Sequence, residues 1–138
     1  MPVCDPSGGG LETIGGIDFV QNMVMTSRDG VLRLFPWLPE NGDVTQASFT
    51  NLRAMGGFRV SANYSLAAGG VSGKVRIAAG PDDRRCVLEQ PANWKSLSVC
   101  KLAGGKAAAV AVTALPGGEV AFTASAEKLY VALDARSC

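Results

Sequence analysis

The stretch GFRVSANYSLAAGGVSGKVRIAAG, Gly57–Gly80, decides the fold. Its first half sets Phe58, Val60, Ala62 and Tyr64 against Arg59, Ser61 and Asn63. Its second half sets Val71, Val75 and Ile77 against Ser72, Lys74 and Arg76. Side chains of a strand alternate between two faces, so this period of two predicts strands with one face in a core and one in water. AAGG (67–70) lies between the halves and supplies turn residues.

The same pattern extends outward. EVAFTAS presents Val120 and Phe122, and KLYVALDA presents Leu129, Val131 and Leu133. Further turn signals stand at AGPDD (79–83), AGG (103–105) and PGG (116–118). KAAAVAVTA (106–114) has the alanine content of a helix, but its flanking glycines and the Val110/Val112 alternation favour a strand. The expectation is a mainly β fold, an antiparallel β-sandwich of about seven to nine strands. Toward the N-terminus the period changes. Ile17, Val20 and Val24, with Phe19 and Met23 beside them, predict one short N-terminal helix over about 16–27. The apolar content there also suits a buried strand. Residues 1–15 then form a flexible leader, and 16–138 a single domain whose sandwich runs over about 30–135. PENGDVTQ (39–46) is the most polar stretch and is expected to be a surface loop.

A chain of 138 residues suits one domain and buries roughly two-thirds of the surface its unfolded form exposes. It holds 13 basic and 12 acidic residues, for a net charge of +1. No basic stripe stands out, so no nucleic-acid partner is expected. No apolar run approaches the roughly 18 residues of a membrane span, so no membrane partner is expected either. The start, MPVCDPSGGG, lacks the charged and apolar regions of a secretory signal. Histidine is absent, which removes Ser-His and Cys-His nucleophile pairs and every His-ligated metal site. No cofactor and no metal site is expected.

Cys4, Cys86, Cys100 and Cys138 contain no C-x-x-C pair. Segments RRCVLEQ and SLSVCKL lie symmetrically about PANW, which favours a Cys86–Cys100 disulfide in a hairpin and leaves Cys4–Cys138 to tie the termini. Four reduced, mostly buried thiols are the alternative. The compartment stays open, with an extracellular one favoured if the cysteines are paired.

Catalytic candidates are lacking. Glycoside cleavage needs two carboxylates flanking one bond. Asp29, Asp43, Asp82, Asp83 and Glu89 fall at turns and strand edges, and nothing in the sequence sets two of them across a cleft. Gly8–Gly10 lacks the strand and the G-K-S/T of a phosphate loop. The aromatic residues Trp94, Trp37, Tyr64 and Tyr130 are candidates for stacking on sugars, against ordinary packing. Trp94 is the best placed of them, since it falls in a predicted loop. Asn63-Tyr64-Ser65 matches the N-glycosylation pattern, with Asn63 facing solvent by alternation.

Two longer segments add a resemblance. GGGLETIGGIDFVQNMVMTSRDGVLRLFPWLP (8–39) and ASFTNLRAMGGFRVSANY (47–64) resemble, in order and spacing, the C-terminal region of glycoside hydrolase family 95 enzymes, which include α-L-fucosidases. That family has segments like E-M-L-L-Q-S-H-D-G-V-I-R-L-F-P-A-L-P and F-x-x-L-R-A-R-G-G-F-x-V. Farther on, RRCVLEQPANW is similar to a family strand ending in an N-P-W-like turn. The resemblance implies that 16–27 corresponds to the last helix of an (α/α)-barrel and that the strands form the sandwich packed on it. The family's catalytic residues lie upstream in that barrel, so none maps onto this chain. Arg28 stands where the family has His.

These observations together lead to an expected non-catalytic accessory or interaction module resembling that C-terminal domain. Its contacts would be with a protein partner or a second copy through Phe19, Val20, Met23 and Val24. The alternatives are a carbohydrate-binding module and a self-assembling extracellular structural component. SRDGVLRLFPWLP (27–39) is then a junction between helix and sandwich, its strand ended by Pro36 and Pro39, which lack a ladder N–H.

Overall fold

A computed structural model describes residues 21–38, 43–135 and 137–138 of the chain. One helical turn at 21–24 leads into β1 (Met25–Thr26), and β2 (Val31–Leu34) follows. The next strands are β3 (Gln46–Arg53), β4 (Arg59–Ser65), β5 (Gly70–Ala78), β6 (Arg84–Glu89) and β7 (Ser98–Ala103). The last are β8 (Lys106–Ala109), β9 (Thr113–Leu115), β10 (Glu119–Ala124) and β11 (Leu129–Leu133). They form a five-stranded sheet, ordered β1-β2-β6-β10-β9, and a six-stranded sheet, ordered β3-β4-β5-β11-β7-β8. All pairs are antiparallel except β2 with β6. The mainly β, sandwich-like class expected from alternation is what the chain adopts, with eleven strands among the described residues rather than about seven to nine.

The central alternation holds residue by residue. Phe58, Val60, Ala62, Val71, Val75 and Ile77 are buried, while Arg59, Asn63, Lys74 and Arg76 are exposed. From the other sheet come Leu32, Cys86, Leu88, Val120, Phe122 and Ala124. The rings of Phe122 on β10 and Tyr130 on β11 meet with centroids 5.2 Å apart, joining the two sheets through one aromatic contact.

Several expectations change. The 106–114 segment is two strands, because the chain leaves β8 on one sheet and joins the other as β9. In β11 the row facing the core is Tyr130 and Ala132, not Leu129, Val131 and Leu133. Every side chain of LYVAL is apolar or aromatic, and a central strand covered on both sides carries no alternation from which to read its inner face. Tyr130, only 1% exposed, is therefore a core residue. The predicted helix over 16–27 ends by Val24, since Met25 and Thr26 already pair with Leu34 and Arg33. Its first residues, 16–20, lie outside the described residues.

The disulfide is also different. Cys100 is joined to Cys138, with Cα atoms 5.9 Å apart, and Cys86 is a buried free thiol. The expected Cys86–Cys100 pair fails because β6 and β7 belong to different sheets, and the loop between them crosses the sandwich rather than closing a hairpin. Cys86 points into the core, whereas Cys100, opposite Val131, lies on the other side of its sheet from Val99 and Tyr130. Cys138 is thereby not available to Cys4, which lies outside the described residues. Burial pushes the Cys86 thiol up to about 12.

Candidate functional site

Ser27–Leu38 forms the seam between the helical turn and the sandwich. The Gly30 N–H donates to the Ser27 carbonyl at 3.0 Å, closing the turn between β1 and β2, and Gly30 supplies the positive φ of 80° that it needs. The Phe35 N–H then donates to the Val24 carbonyl at 2.7 Å, and Trp37 N–H to the Met23 carbonyl at 3.4 Å. These bonds hold the helical turn against the end of β2. The strand stops at Leu34, before Pro36. Phe35 has φ of 51°, costly for a bulky residue, and is held there by contacts with Phe49 and Tyr64 at ring distances of 5.4 and 5.6 Å. Pro39 is outside the described residues.

Arg33 organises the polar side of this seam. Its Nη1 donates to both carboxylate oxygens of Asp29 at 2.7 Å, and its Nε lies 2.8 Å from Glu89 Oε2. Two carboxylates that the sequence leaves scattered thus converge on one guanidinium. They are not a glycosidase pair, because the cation occupies the space where a sugar bond would lie. The hydrogen bonds from Arg33 hold Asp29 below the usual carboxylate range, and Asp29 in turn raises Arg33. Asp29 is therefore ionised at neutral pH and has no proton to give.

Beside this pair is a hollow of about 400 Å³ lined by Asn22, Arg28, Arg33, Pro36 and Trp37. Trp37 is 69% exposed, the most exposed large apolar side chain among the described residues. Met55, also exposed, is tied to the seam by its N–H, which donates to Ser27 Oγ at 3.0 Å. Met23 and Val24, two of the expected interface residues, are half-buried here; Phe19 and Val20 lie outside the described residues.

The other aromatic candidates separate. Trp94 is 6% exposed, and its Nε1 donates to the Val71 carbonyl at 3.2 Å. It closes one end of the core and offers no ring face to a sugar, which corrects the expectation drawn from its loop position. Neighbouring Asn93 fastens the same end: it donates to Ala68 and Val71 carbonyls and accepts from the Val71 N–H. Gly70 is required there, since a Cβ would come within 2.6 Å of Asn93 Oδ1. Tyr64 is half-buried and borders two hollows, one of about 330 Å³ with Phe35, Pro36 and Asn93, the other on the sheet face described next.

The outer face of the six-stranded sheet was not anticipated. None of its strands contains an acidic residue. Pairing places Arg53 directly opposite Arg59, and Ser61 opposite Arg76, all on the side away from the core. Lys74 continues this row along β5. All four cations are exposed and, among the described residues, none makes an ion pair. A sequence signal existed: Val44–Pro81 contains no Asp or Glu. Two shallow hollows share Asn63 on this face. One, about 580 Å³, is lined by Gln46, Ser48, Asn63, Tyr64, Ser65 and Ser72. The other, about 430 Å³, is lined by Asn63, Lys74, Arg76, Leu102, Val131 and Leu133 among others.

Among the described residues, no group of three or more Cys, Asp or Glu side chains is arranged to hold a metal ion, and no helix is long and apolar enough to cross a membrane. Neither the protein-family models nor the curated proteins contain a match to this chain.

Proposed function

We propose that this chain is a non-catalytic β-sandwich module, similar to the C-terminal domain of family 95 glycoside hydrolases, that works by protein contact through its seam. The exposure of Trp37, at 69% and beside Arg28, carries this conclusion. Trp and Arg are the residue types that most often dominate binding energy at interfaces, where a large ring and a planar cation can be buried together. Leaving the Trp37 ring in water forgoes the burial that a partner surface would supply. The seam is also where the resemblance puts a catalytic barrel, as a separate chain or as part of the same polypeptide. The paired state of Asp29, Glu89 and Arg33 supports a structural rather than catalytic use of the nearest carboxylates.

The test has two arms. The purified chain is assayed on aryl glycosides including fucosides, and no turnover is expected; activity that follows the protein through purification sinks the non-catalytic assignment. It is then titrated with a family 95 barrel lacking its own sandwich, by calorimetry for wild type and variant alike, with tryptophan emission followed for the wild type. Binding with a blue shift, weakened about thirtyfold by Trp37→Ala, is expected from the energies of interface anchors. No binding, or binding indifferent to Trp37→Ala, overturns the seam as the contact surface.

A further inference from the structure

We propose that the outer face of the six-stranded sheet binds an acidic polysaccharide along the row Arg53, Arg59, Arg76 and Lys74. This site is separate from the seam and does not depend on it.

The register makes the case. Arg53 and Arg59 are direct cross-strand partners, an arrangement in which like charges repel. Arg76 is the diagonal neighbour of Arg59, because Arg59 pairs with Ala78 and Arg76 lies two residues before it on the same face. Residues so related are about 7–8 Å apart, within reach of long side chains bridging one extended anion. No carboxylate from any strand of this sheet offsets them. Repulsion of this kind destabilises the isolated domain and is relieved when a polyanion lies across the row.

The neutral groups select the kind of polyanion. Ser48, Asn63, Ser65 and Ser72 line the larger hollow, which meets the hollow of Lys74 and Arg76 at Asn63, and they offer donors and acceptors suited to hydroxyl groups. Leu102 and Leu133, both half-buried, border the adjoining hollow with apolar surface, against which the C–H face of a sugar can lie. Nucleic acid fits less well. Among the described residues these hollows are bordered by one aromatic side chain, Tyr64, which is half-buried and packed on Phe35, so no run of open rings is offered to stacked bases.

The probes are polygalacturonate for a carboxylated chain, chondroitin sulfate for a sulfated one, dextran as a neutral chain, and oligo(dT) with a DNA duplex for nucleic acid. Binding is measured by calorimetry at low and moderate salt. We expect binding to at least one acidic polysaccharide and none to dextran, with affinity falling as salt rises. Arg59→Ser/Arg76→Ser weakens it at least about tenfold, the scale of one lost charge-assisted contact. Arg85→Ser, on the other sheet, changes it by less than about twofold. Arg53→Ser serves as a second variant should the double substitution fail to fold, and thermal melts establish that each variant is native. Failure to bind either acidic polysaccharide, equal loss with Arg85→Ser, or tighter binding of oligo(dT) or duplex overturns the proposal.

Discussion

The two sheets share one core but treat charge in opposite ways. On the five-stranded sheet, Arg33 is neutralised at the surface by Asp29 and Glu89, which reach it from the preceding turn and from β6. On the six-stranded sheet, Arg53 and Arg59 face each other, and the strands supply no carboxylate at all. The first arrangement closes a seam and pins the β1–β2 turn. The second leaves a cationic row whose charges make no ion pair among the described residues. A surface that spends its charges on itself is structural; one that leaves like charges adjacent is suited to something outside the chain.

The largest expected effect concerns what fastens the outer face of the six-stranded sheet. The Cys100–Cys138 disulfide spans 38 residues and draws the chain end onto β7. Asp134 helps by accepting the N–H groups of Lys95 and Ser96, both at 2.9 Å, and Ser98 Oγ donates to the Ala135 carbonyl. Cys138→Ser is expected to lower stability by about 2–4 kcal/mol in denaturant titration, as loss of a loop of this length does. An unchanged midpoint would mean that the chain end is held by its hydrogen bonds alone.

A second effect tests the five-stranded side of the core, where Cys86 sits. Its thiol is raised by burial to about 12 from 9.0. Between these values the folded state keeps the proton and the unfolded state loses it, so stability falls as pH rises. The expected slope is about 1.4 kcal/mol per pH unit at most above pH 9, read as the difference between wild type and Cys86→Ala, which lacks this contribution. Parallel profiles for the two proteins would show that Cys86 is less secluded than its packing indicates.

The smallest effects have opposite signs and bear directly on the comparison. Arg33→Ala should destabilise, because it leaves Asp29 and Glu89 without their shared partner, and its cost should shrink in high salt. Arg59→Ser should stabilise by a few tenths of a kcal/mol by ending the opposition to Arg53. If both substitutions shift the melting temperature in the same direction, the contrast between the sheets is wrong.

Much of the sandwich was legible in local pattern. Gly57–Gly80 gave its two strands and their inner faces, since alternation and turn glycines are properties of neighbouring residues. The candidate surfaces were less so. Trp94 reads as an exposed loop tryptophan because PANW is a turn, yet the loop crosses between sheets and carries its ring into the core. The cationic row was hidden because its members come from three strands and meet only through register, including an irregularity between Phe49 and Leu52 that brings Arg53 opposite Arg59.

By itself the sequence determined the β class, the burial of the alternating rows and the absence of histidine chemistry, because each follows from residue type or spacing along the chain. Only the tertiary structure decided the sheet to which each strand belongs. That choice made Cys138 rather than Cys86 the partner of Cys100, converged Asp29 and Glu89 on Arg33, and aligned Arg53, Arg59 and Arg76 on one face. The reason is physical: period two specifies which side of a strand is apolar, whereas neighbours across a sheet are selected by long-range packing, to which the local pattern is blind.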